Sequence, residues 1–371
     1  MTTVAIVQDH IVQRGGGERV LLSMSKALPD APIYTSYYWP EASFAELERL
    51  DVRPAPIDRV PGLRRRHRAT LPLMPLVFDR MRIDADVVLC GTSGWAAGAR
   101  VSGRKVLYFH ALARWVHERD GYLAEAGLVQ RVGSGALLPW LRRWDRRAVE
   151  SADRHLVYSS SMQSEIARIY GIEADVLPPP VTVDTNGAET EAAGIEPGFV
   201  LCPCRLMAYK NVDVVIDAFR DRPDDRLVVA GGGPAEARLR AMAPPNVTLV
   251  GQVDDTAMRW LYRRCRAVVS AAYEPFGLIT LEANAFDKPA AVLRGGGFRD
   301  TVVEGATGAF FDELDPGQVS AAIDALQRLP GTYDLPAHAA QWSEDAFVSR
   351  LRAIVREEAT QASSTSSAAD R

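Results

Sequence analysis

From Val4 to Leu293 the chain repeats one pattern: a short apolar run rich in β-branched residues, then a longer amphipathic stretch. The runs in the first half are Val4–Val7, Pro32–Thr35, Val87–Cys90, Lys105–Phe109, His155–Tyr158 and Ala174–Leu177. In the second half they are Phe199–Pro203, Arg226–Ala230, Val247–Val250, Ala267–Ser270 and Pro289–Leu293. Most lack polar alternation, as parallel strands buried on both faces do. Val212–Phe219 and Asp255–Cys265 are apolar on one face and read as helices between strands. A βαβα order of this kind predicts an α/β fold, with parallel sheets covered by helices on both faces.

The 371 residues exceed what one core sustains, roughly 250–300 residues, so two domains are expected. The pattern breaks once, from Pro178-Pro179-Pro180 to Gly198, where the chain is polar and without periodicity. That stretch reads as a linker over 181–198, dividing an α/β domain at 1–180 from a second at 199–342. A final amphipathic helix is expected over 343–358. Its packing partner is left open, the first domain being one candidate. Residues 359–371 are rich in Ser, Ala and Thr and read as a disordered tail.

Composition removes several classes of function. Hydrophobic residues make up 47% and charged residues 24%, and the formal net charge is -4, so no nucleic-acid partner is expected. No apolar run reaches the roughly 18 residues of a membrane span. The opening MTTVAIVQDH has neither a basic start nor an apolar core, which predicts a cytoplasmic protein. Cys90, Cys202, Cys204 and Cys265 lack zinc-site spacing and read as thiols in a reducing compartment. Asp84-Ala85-Asp86 reads as a turn at a strand start, and Asp254 as a helix cap, so no metal site is expected. H-E-x-x-H, the P-loop lysine and G-x-S-x-G are all missing.

Three triple-glycine loops follow strands, at Gly15–Gly17, Gly231–Gly233 and Gly295–Gly297. A glycine turn opening a helix exposes backbone N–H groups and the positive end of the helix dipole, which suits a phosphate. None has G-x-G-x-x-G spacing followed by an acid, which disfavours a nicotinamide cofactor. In Tyr273-Glu274-Pro275-Phe276-Gly277-Leu278-Ile279-Thr280-Leu281-Glu282, Glu274 stands just past a strand's carboxyl end, where open α/β sheets bind ligands. Glu282 falls over one turn into the following helix.

Taken in order, these segments resemble the retaining glycosyltransferases of family 4. Glu274 and Glu282 are similar to that family's E-x7-E motif, and Arg205-Leu206 through Lys210-Asn211 to its R-L-x-x-x-K-N segment. Gly15-Gly16-Gly17-Glu18-Arg19-Val20 resembles its N-terminal loop, Tyr108-Phe109-His110 its strand-end histidine, and Gly296-Gly297-Phe298-Arg299-Asp300 its second diphosphate-side loop. The resemblance implies a GT-B fold: two Rossmann-like domains facing across a cleft, the first binding acceptor and the second nucleotide sugar. It implies that His110 and Glu274 serve the transferring sugar. It implies a donor set of Gly16, Gly17, Arg205, Lys210, Val253, Phe276, Gly277, Leu278 and Glu282, with Glu282 on the ribose and Val253 by the base. Arg205 can clamp a diphosphate oxygen pair bidentately, Lys210 acts as a point charge, and their cations replace a metal, so no cofactor is expected. Two routes to retention stay open: front-face attack assisted by the leaving phosphate, and a Glu274 nucleophile.

Asp51–Arg82 carries eight arginines against three aspartates, densest at Arg64, Arg65, Arg66 and Arg68 around His67, and the apolar Leu71–Phe78 follows. Trp140–Arg147 repeats the mixture. Such segments suit an anionic membrane surface or a lipid-linked acceptor, which would place the protein peripherally on the inner membrane face. Ala31–Thr35 and Tyr108–Trp115 resemble the mannosyltransferase branch that builds bacterial surface polysaccharides, which favours GDP-mannose. A nucleotide-sugar epimerase on the same fold and a non-catalytic nucleotide-sugar binder are the alternative readings.

Overall fold

The computed structural model describes residues 2–63, 70–117, 128–192 and 194–369. Arg64, Arg65, Arg66 and Arg68 lie outside the described residues. The chain divides into two compact units, Met1–Pro180 with Glu344–Arg371, and Val181–Ser343.

The first unit is built on a parallel sheet of β1 (Val4–Gln8), β2 (Ile33–Thr35), β3 (Val52–Pro54), β5 (Val87–Thr92), β7 (Arg104–Phe109), β8 (Arg154–Val157) and β9 (Asp175–Val176). Their spatial order is β3-β2-β1-β5-β7-β8-β9. A small pair, β4 (Arg82–Ile83) and β6 (Arg100–Val101), stands apart. The central strands are buried on both faces, which is why they read as unbroken apolar runs. The order turns back beside β1: β2 and β3 extend to one side, β5 onward to the other. Helices α1 (Gly16–Ala27), α2 (Leu128–Glu150) and α3 (Ser160–Tyr170) lie between the strands. Ser159 caps α3 by accepting from the Met162 amide at 3.2 Å, and left-handed Gly171 ends it.

The second unit repeats the plan. Strands β10 (Val200–Pro203), β11 (Leu227–Ala230), β12 (Val247–Gly251), β13 (Ala267–Ser270), β14 (Ala290–Leu293) and β15 (Gly308–Phe311) form a parallel sheet ordered β12-β11-β10-β13-β14-β15. Here the order turns back between β10 and β13. Around it run α4 (Val212–Ala218), α5 (Glu236–Met242), α6 (Asp255–Arg264), α7 (Leu278–Ala285), α8 (Phe298–Thr301), α9 (Pro316–Leu326) and α10 (Leu335–Ala340). One apolar cluster joins α4 and α9 to one face, with Phe219 and Ile323 among it; the other seats Trp260, Phe286 and Phe298 on the opposite face. Asp254 caps α6 by accepting from the Ala257 amide at 2.9 Å.

The stretch expected as a linker belongs to the second unit. Arg259 of α6 donates to the carbonyl of Asp184 at 2.6 Å and to that of Ala188, while Val183, Ala192 and Ile195 pack against the Trp260 cluster. The grip is made largely by backbone carbonyls, which composition does not reveal. Val181 and Ser343, the two ends of this unit, lie side by side in a parallel bridge.

The chain then enters α11 (Glu344–Ala369), part of the first unit. Phe347, Leu351, Ile354 and Val355 are buried, and Arg352 donates to the carbonyls of Ala27 and Lys26 at the end of α1, both at 2.9 Å. The helix runs on through the residues expected as a tail. Arg104 holds Glu358 at 2.7 Å and Gln361 at 2.7 Å, and the Thr360 and Ser363 hydroxyls donate to carbonyls four residues earlier. No helix of the described residues is long and apolar enough to cross a membrane.

Candidate active site

In open α/β sheets, ligands bind beyond the carboxyl ends of the strands where the strand order reverses. In the second unit that point lies between β10 and β13, and both charged motifs converge on it. The chain leaves β10 into Cys204 and exposed Arg205, then makes a 3-10 turn over Ala208–Lys210. Asn211, left-handed at φ 52°, donates its side-chain amide to the carbonyl of Ala271 past β13 at 2.9 Å, which ties the two strand ends together. Lys210 then donates to Glu274 in an ion pair, with side chains 12% and 22% exposed. The Lys210 ammonium also sits 5.2 Å from the Tyr209 ring centre.

The glycine loops of this unit are required by packing. Gly231 has φ +136°, and a Cβ there would lie 1.9 Å from the Cys204 carbonyl oxygen. Gly296 has φ +56°, and its Cβ would lie 2.1 Å from the Glu274 carbonyl oxygen; that same oxygen accepts from the Gly297 amide at 2.8 Å. Each loop thus braces one of the charged loops from behind.

Gly277 opens α7 at φ +88°, and Thr280 donates to its carbonyl at 2.9 Å while pairing with Thr301 at 2.8 Å. Phe276 is buried and Leu278 half-buried on either side of it. Glu282 lies further along α7, half-buried, and accepts from the Tyr262 hydroxyl at 2.8 Å. Burial, with the Glu282 charge beside it, pushes the Tyr262 hydroxyl well up, so it keeps its proton and donates. Val253 packs on the Trp260 cluster. Among the predicted residues of this unit, Lys210 and Glu274 are in direct contact, whereas Arg205, Val253 and Glu282 occupy separate positions around the strand ends.

The first unit gathers a different set at its own reversal, between β1 and β5. His110 is the first residue past β7 and is buried, at 8% exposure. Its Nδ1 is hydrogen-bonded to the Tyr158 hydroxyl and its Nε2 lies 3.2 Å from the Gln8 amide oxygen. Burial keeps the Tyr158 hydroxyl protonated, so Tyr158 donates to Nδ1, and the amide oxygen assigns the imidazole proton to Nε2. Burial also lowers the His110 pKa to about 4, which makes the ring neutral near pH 7. Gly91 makes the arrangement possible: a Cβ there would lie 2.4 Å from the Gln8 oxygen and 2.6 Å from His110 Nε2. Gly17 borders the pair, while nothing lies within 4 Å of a Cβ placed on Gly16.

Two buried carboxylates frame this cluster. Glu18 accepts from the backbone amides of Val12, Gln13, Gly15 and its own, and burial raises its pKa to about 7. Asp9 accepts from the amides of Ser93 and Ala96, each at 2.6 Å, and of Trp95 at 3.2 Å, and burial raises it to about 6. Gln8, Asp9 and Tyr158 were not singled out from the sequence, although each stands at a strand end, the one signal that could have found them. Asp84 and Asp86 are engaged by Ser102 and Thr3, as a structural turn.

Residues 14–185 match the family described as Glycosyltransferase Family 4, and residues 189–346 match Glycosyl transferases group 1. The two matches fall one on each half of the chain, and both models describe glycosyltransferases. The chain's two-unit parallel α/β architecture is the GT-B fold. A D-inositol 3-phosphate glycosyltransferase of Mycobacterium sp. (strain KMS) is 29% identical over 282 residues, 69% of this chain and 61% of that protein. A glycogen synthase of Mycobacterium tuberculosis (strain CDC 1551 / Oshkosh) is 29% identical over 237 residues, 59% of this chain and 56% of that protein. The chain thus spans less than two thirds of the length of these relatives. The structure of Anabaena Alr3699/HepE in complex with UDP-glucose has the same fold, with a TM-score of 0.69 and 18% identity over 96% of this chain and 100% of that one. WaaG, a glycosyltransferase involved in lipopolysaccharide biosynthesis, has a TM-score of 0.64 and 16% identity, covering 95% and 99%.

Proposed function

We propose that this chain transfers a hexose from a nucleotide-diphosphate sugar to a hydroxyl of a glycan or lipid-linked acceptor, with retention at the anomeric carbon and without a metal. The observation that carries the reading is the Lys210–Glu274 pair at the strand-order reversal of the second unit, beside exposed Arg205. In the reaction, the bond from the anomeric carbon to the diphosphate breaks and the bond to the acceptor oxygen forms. The acceptor proton passes to the leaving phosphate. Arg205 and Lys210 stabilise the charge that grows on that diphosphate, the part a metal ion takes elsewhere. Glu282, held by Tyr262, takes the ribose hydroxyls, and Phe276, Gly277 and Leu278 present backbone at the start of α7 to the sugar and phosphate. Val253 is assigned to the base.

Glu274 holds the sugar's hydroxyls in this reading. Its carboxylate is already engaged by Lys210, and an ion-paired carboxylate is a weakened nucleophile, which favours front-face departure over a covalent intermediate. For the first unit, the family resemblance gives His110 a contact to the transferring sugar and Gly16 and Gly17 a place against the donor. As a neutral ring His110 acts by hydrogen bonding, its Gln8 bond at 3.2 Å being the one open to exchange.

GDP-mannose is the proposed donor, on the likeness of Ala31–Thr35 and Tyr108–Trp115 to the mannosyltransferase branch; UDP-glucose, bound in Alr3699/HepE, is its competitor. The acceptor is proposed to be presented at an anionic membrane face on the cytoplasmic side. Val60, Leu73 and Leu76 are exposed on either side of the arginine-rich segment, which supports docking there. A titration of the purified chain with GDP-mannose, UDP-glucose, UDP-N-acetylglucosamine and a dTDP-sugar, in EDTA, tests the donor reading. Binding of one donor is expected, and binding of none would overturn it. Flotation with anionic vesicles tests the membrane reading, and a chain left at the bottom of the gradient would sink it.

A further inference from the structure

The turn that opens α7 is held from behind by a chain of hydrogen bonds that no step of the proposed reaction uses. Gly277 stands at φ +88°, and the Phe298 ring fills the space beside it, 2.4 Å from where a Cβ would be. The Gly277 carbonyl accepts twice from Thr280, from the amide at 3.2 Å and from the hydroxyl at 2.9 Å. The Thr280 hydroxyl also meets that of Thr301 at 2.8 Å, and both side chains are fully buried. A hydroxyl carries one proton. Thr280 gives its proton to Gly277, so Thr301 is the donor between the two threonines. Thr301 ends the four-residue α8, whose last carbonyls have no partner within the helix. Its carbonyl lies 3.0 Å from Nε2 of His338, which is buried on α10. A carbonyl only accepts, so the imidazole proton is on Nε2, and Nδ1 faces the Tyr333 hydroxyl at 3.3 Å. The Trp342 ring stands edge-on to the imidazole, with ring centres 4.8 Å apart.

We propose that Thr280, backed by Thr301 and His338, is a latch that holds the Gly277–Leu278 peptide with its N–H toward the donor. This rests on the donor reading, in which backbone at the start of α7 serves the sugar and phosphate. The carbonyl and the N–H of one trans peptide point in opposite directions. Fixing the Gly277 carbonyl along α7 therefore aims the Leu278 N–H out of the first turn, where a helix offers no acceptor of its own. Glycine has no Cβ to oppose rotation of this peptide, so a partner must keep it in one orientation. Thr280 supplies that partner from three residues along the same helix. Thr301 leaves the Thr280 hydroxyl only one direction in which to donate. His338 fixes the end of α8 on which Thr301 stands. An N–H set in place beforehand needs no reorganisation as charge grows on the donor phosphate, which is where such a dipole contributes most. Thr280, Thr301 and His338 are thus positioning residues that act through the Leu278 N–H.

The test compares the full chain with Thr280→Val, which keeps the shape and removes the hydroxyl, and with Thr280→Ser, which keeps the hydroxyl. The Leu278 amide peak in a nitrogen-15 NMR spectrum reads the latch without any ligand. Turnover with GDP-mannose and UDP-glucose, and calorimetry with the free nucleoside diphosphates, read its effect on the donor. The amide peak is expected to be single in the wild type, doubled or broadened in Thr280→Val, and single again in Thr280→Ser. Turnover is expected to fall about tenfold in Thr280→Val while nucleoside diphosphate affinity stays within about twofold, and Thr280→Ser is expected to restore it. His338→Phe is expected to act in the same direction by about threefold. A wild-type peak and turnover in Thr280→Val would overturn the proposal. So would a Thr280→Ser chain that restores neither, since packing and not the hydroxyl would then be the cause. Should Thr280→Val not fold, Thr301→Val leaves the Thr280–Gly277 bond, removes its backing and carries the same comparison with a smaller effect. A wild-type chain that binds neither nucleotide sugar would bring down the donor reading, while the Leu278 peak would still decide the latch by itself.

Discussion

Lys210 and Glu274, 64 residues apart in sequence, meet in an ion pair that joins the two charged motifs of the second unit. Each comes from a loop braced by a glycine in the left-handed region, and Asn211 locks the loops to one another. The pair is therefore set by the fold before any ligand arrives.

Removing one partner leaves the other half-buried and alone. Lys210→Ala is expected to weaken nucleotide-sugar binding by about 1.5–3 kcal/mol, roughly 10–100-fold. Glu274→Gln is expected to lower kcat more than affinity. A double-mutant cycle on binding and on kcat checks this; strictly additive effects would show that the two residues act independently.

Glu282→Ala removes the acceptor of the Tyr262 hydroxyl and the proposed ribose contact together. Nucleotide affinity is expected to fall about tenfold or more. Tyr262→Phe separates the two contributions: it keeps the carboxylate and is expected to cost less affinity. Calorimetry with the free nucleoside diphosphate distinguishes the variants.

His110, with its pKa near 4, stays neutral across the range in which most transferases are assayed. Its imidazole resonances are expected to be unchanged between about pH 5.5 and 8, and to move only as pH falls toward 4. His110→Ala is expected to reduce turnover while leaving nucleotide affinity within about twofold. Carbon-detected histidine NMR together with steady-state kinetics reads both; a titration near pH 6.5 would contradict the assignment.

Glu18 makes the first unit's stability fall with rising pH. Its pKa, about 7 when folded against an ordinary 4.5, means that the folded state holds the proton more tightly. That stabilisation is complete below 4.5 and is lost as pH rises through 7, at up to about 1.4 kcal/mol per pH unit. His110 runs the other way: its contribution is present above 6.5 and lost toward 4, so it does not mask the effect above 6.5. Melting temperature is expected to drop between about pH 6.5 and 8, and Glu18→Gln is expected to flatten the slope.

Gly231→Ala forces a side chain into a left-handed backbone and against the Cys204 carbonyl. It is expected to destabilise the second unit by about 3 kcal/mol or more. Gly16→Ala meets no neighbour within 4 Å, so it is expected to leave stability unchanged and act on donor affinity alone. Denaturant melts of the two variants provide the comparison.

The buried parallel strands were legible because burial on both faces leaves a continuous apolar run. β3, β4, β6 and β15 were missed for the opposite reason: β3 is three residues long and ends at Pro54, β4 and β6 have two residues each, and β15 opens on glycine. Glu274 and Lys210 were legible from their motifs, but their pairing depends on a strand order that periodicity does not encode. His110 illustrates the limit in the other direction. Its position at a strand end is legible, while its neutrality comes from burial, and its hydrogen-bond partners Gln8 and Tyr158 and its close neighbour Gly91 come from three other strands or strand ends.

Because α11 belongs to the first unit, the chain passes between the units twice, and the second is an insertion within the first. Its ends, Val181 and Ser343, already lie side by side. Residues 181–343 can therefore be excised as a self-closing module, grafted from a relative, or made the site of new termini by circular permutation. A cut made only after Pro180 strands the first unit without the helix that covers Tyr108 and the end of α1. Domain exchange among chains of this architecture should follow the two-point seam and keep the last helix with the first half of the chain.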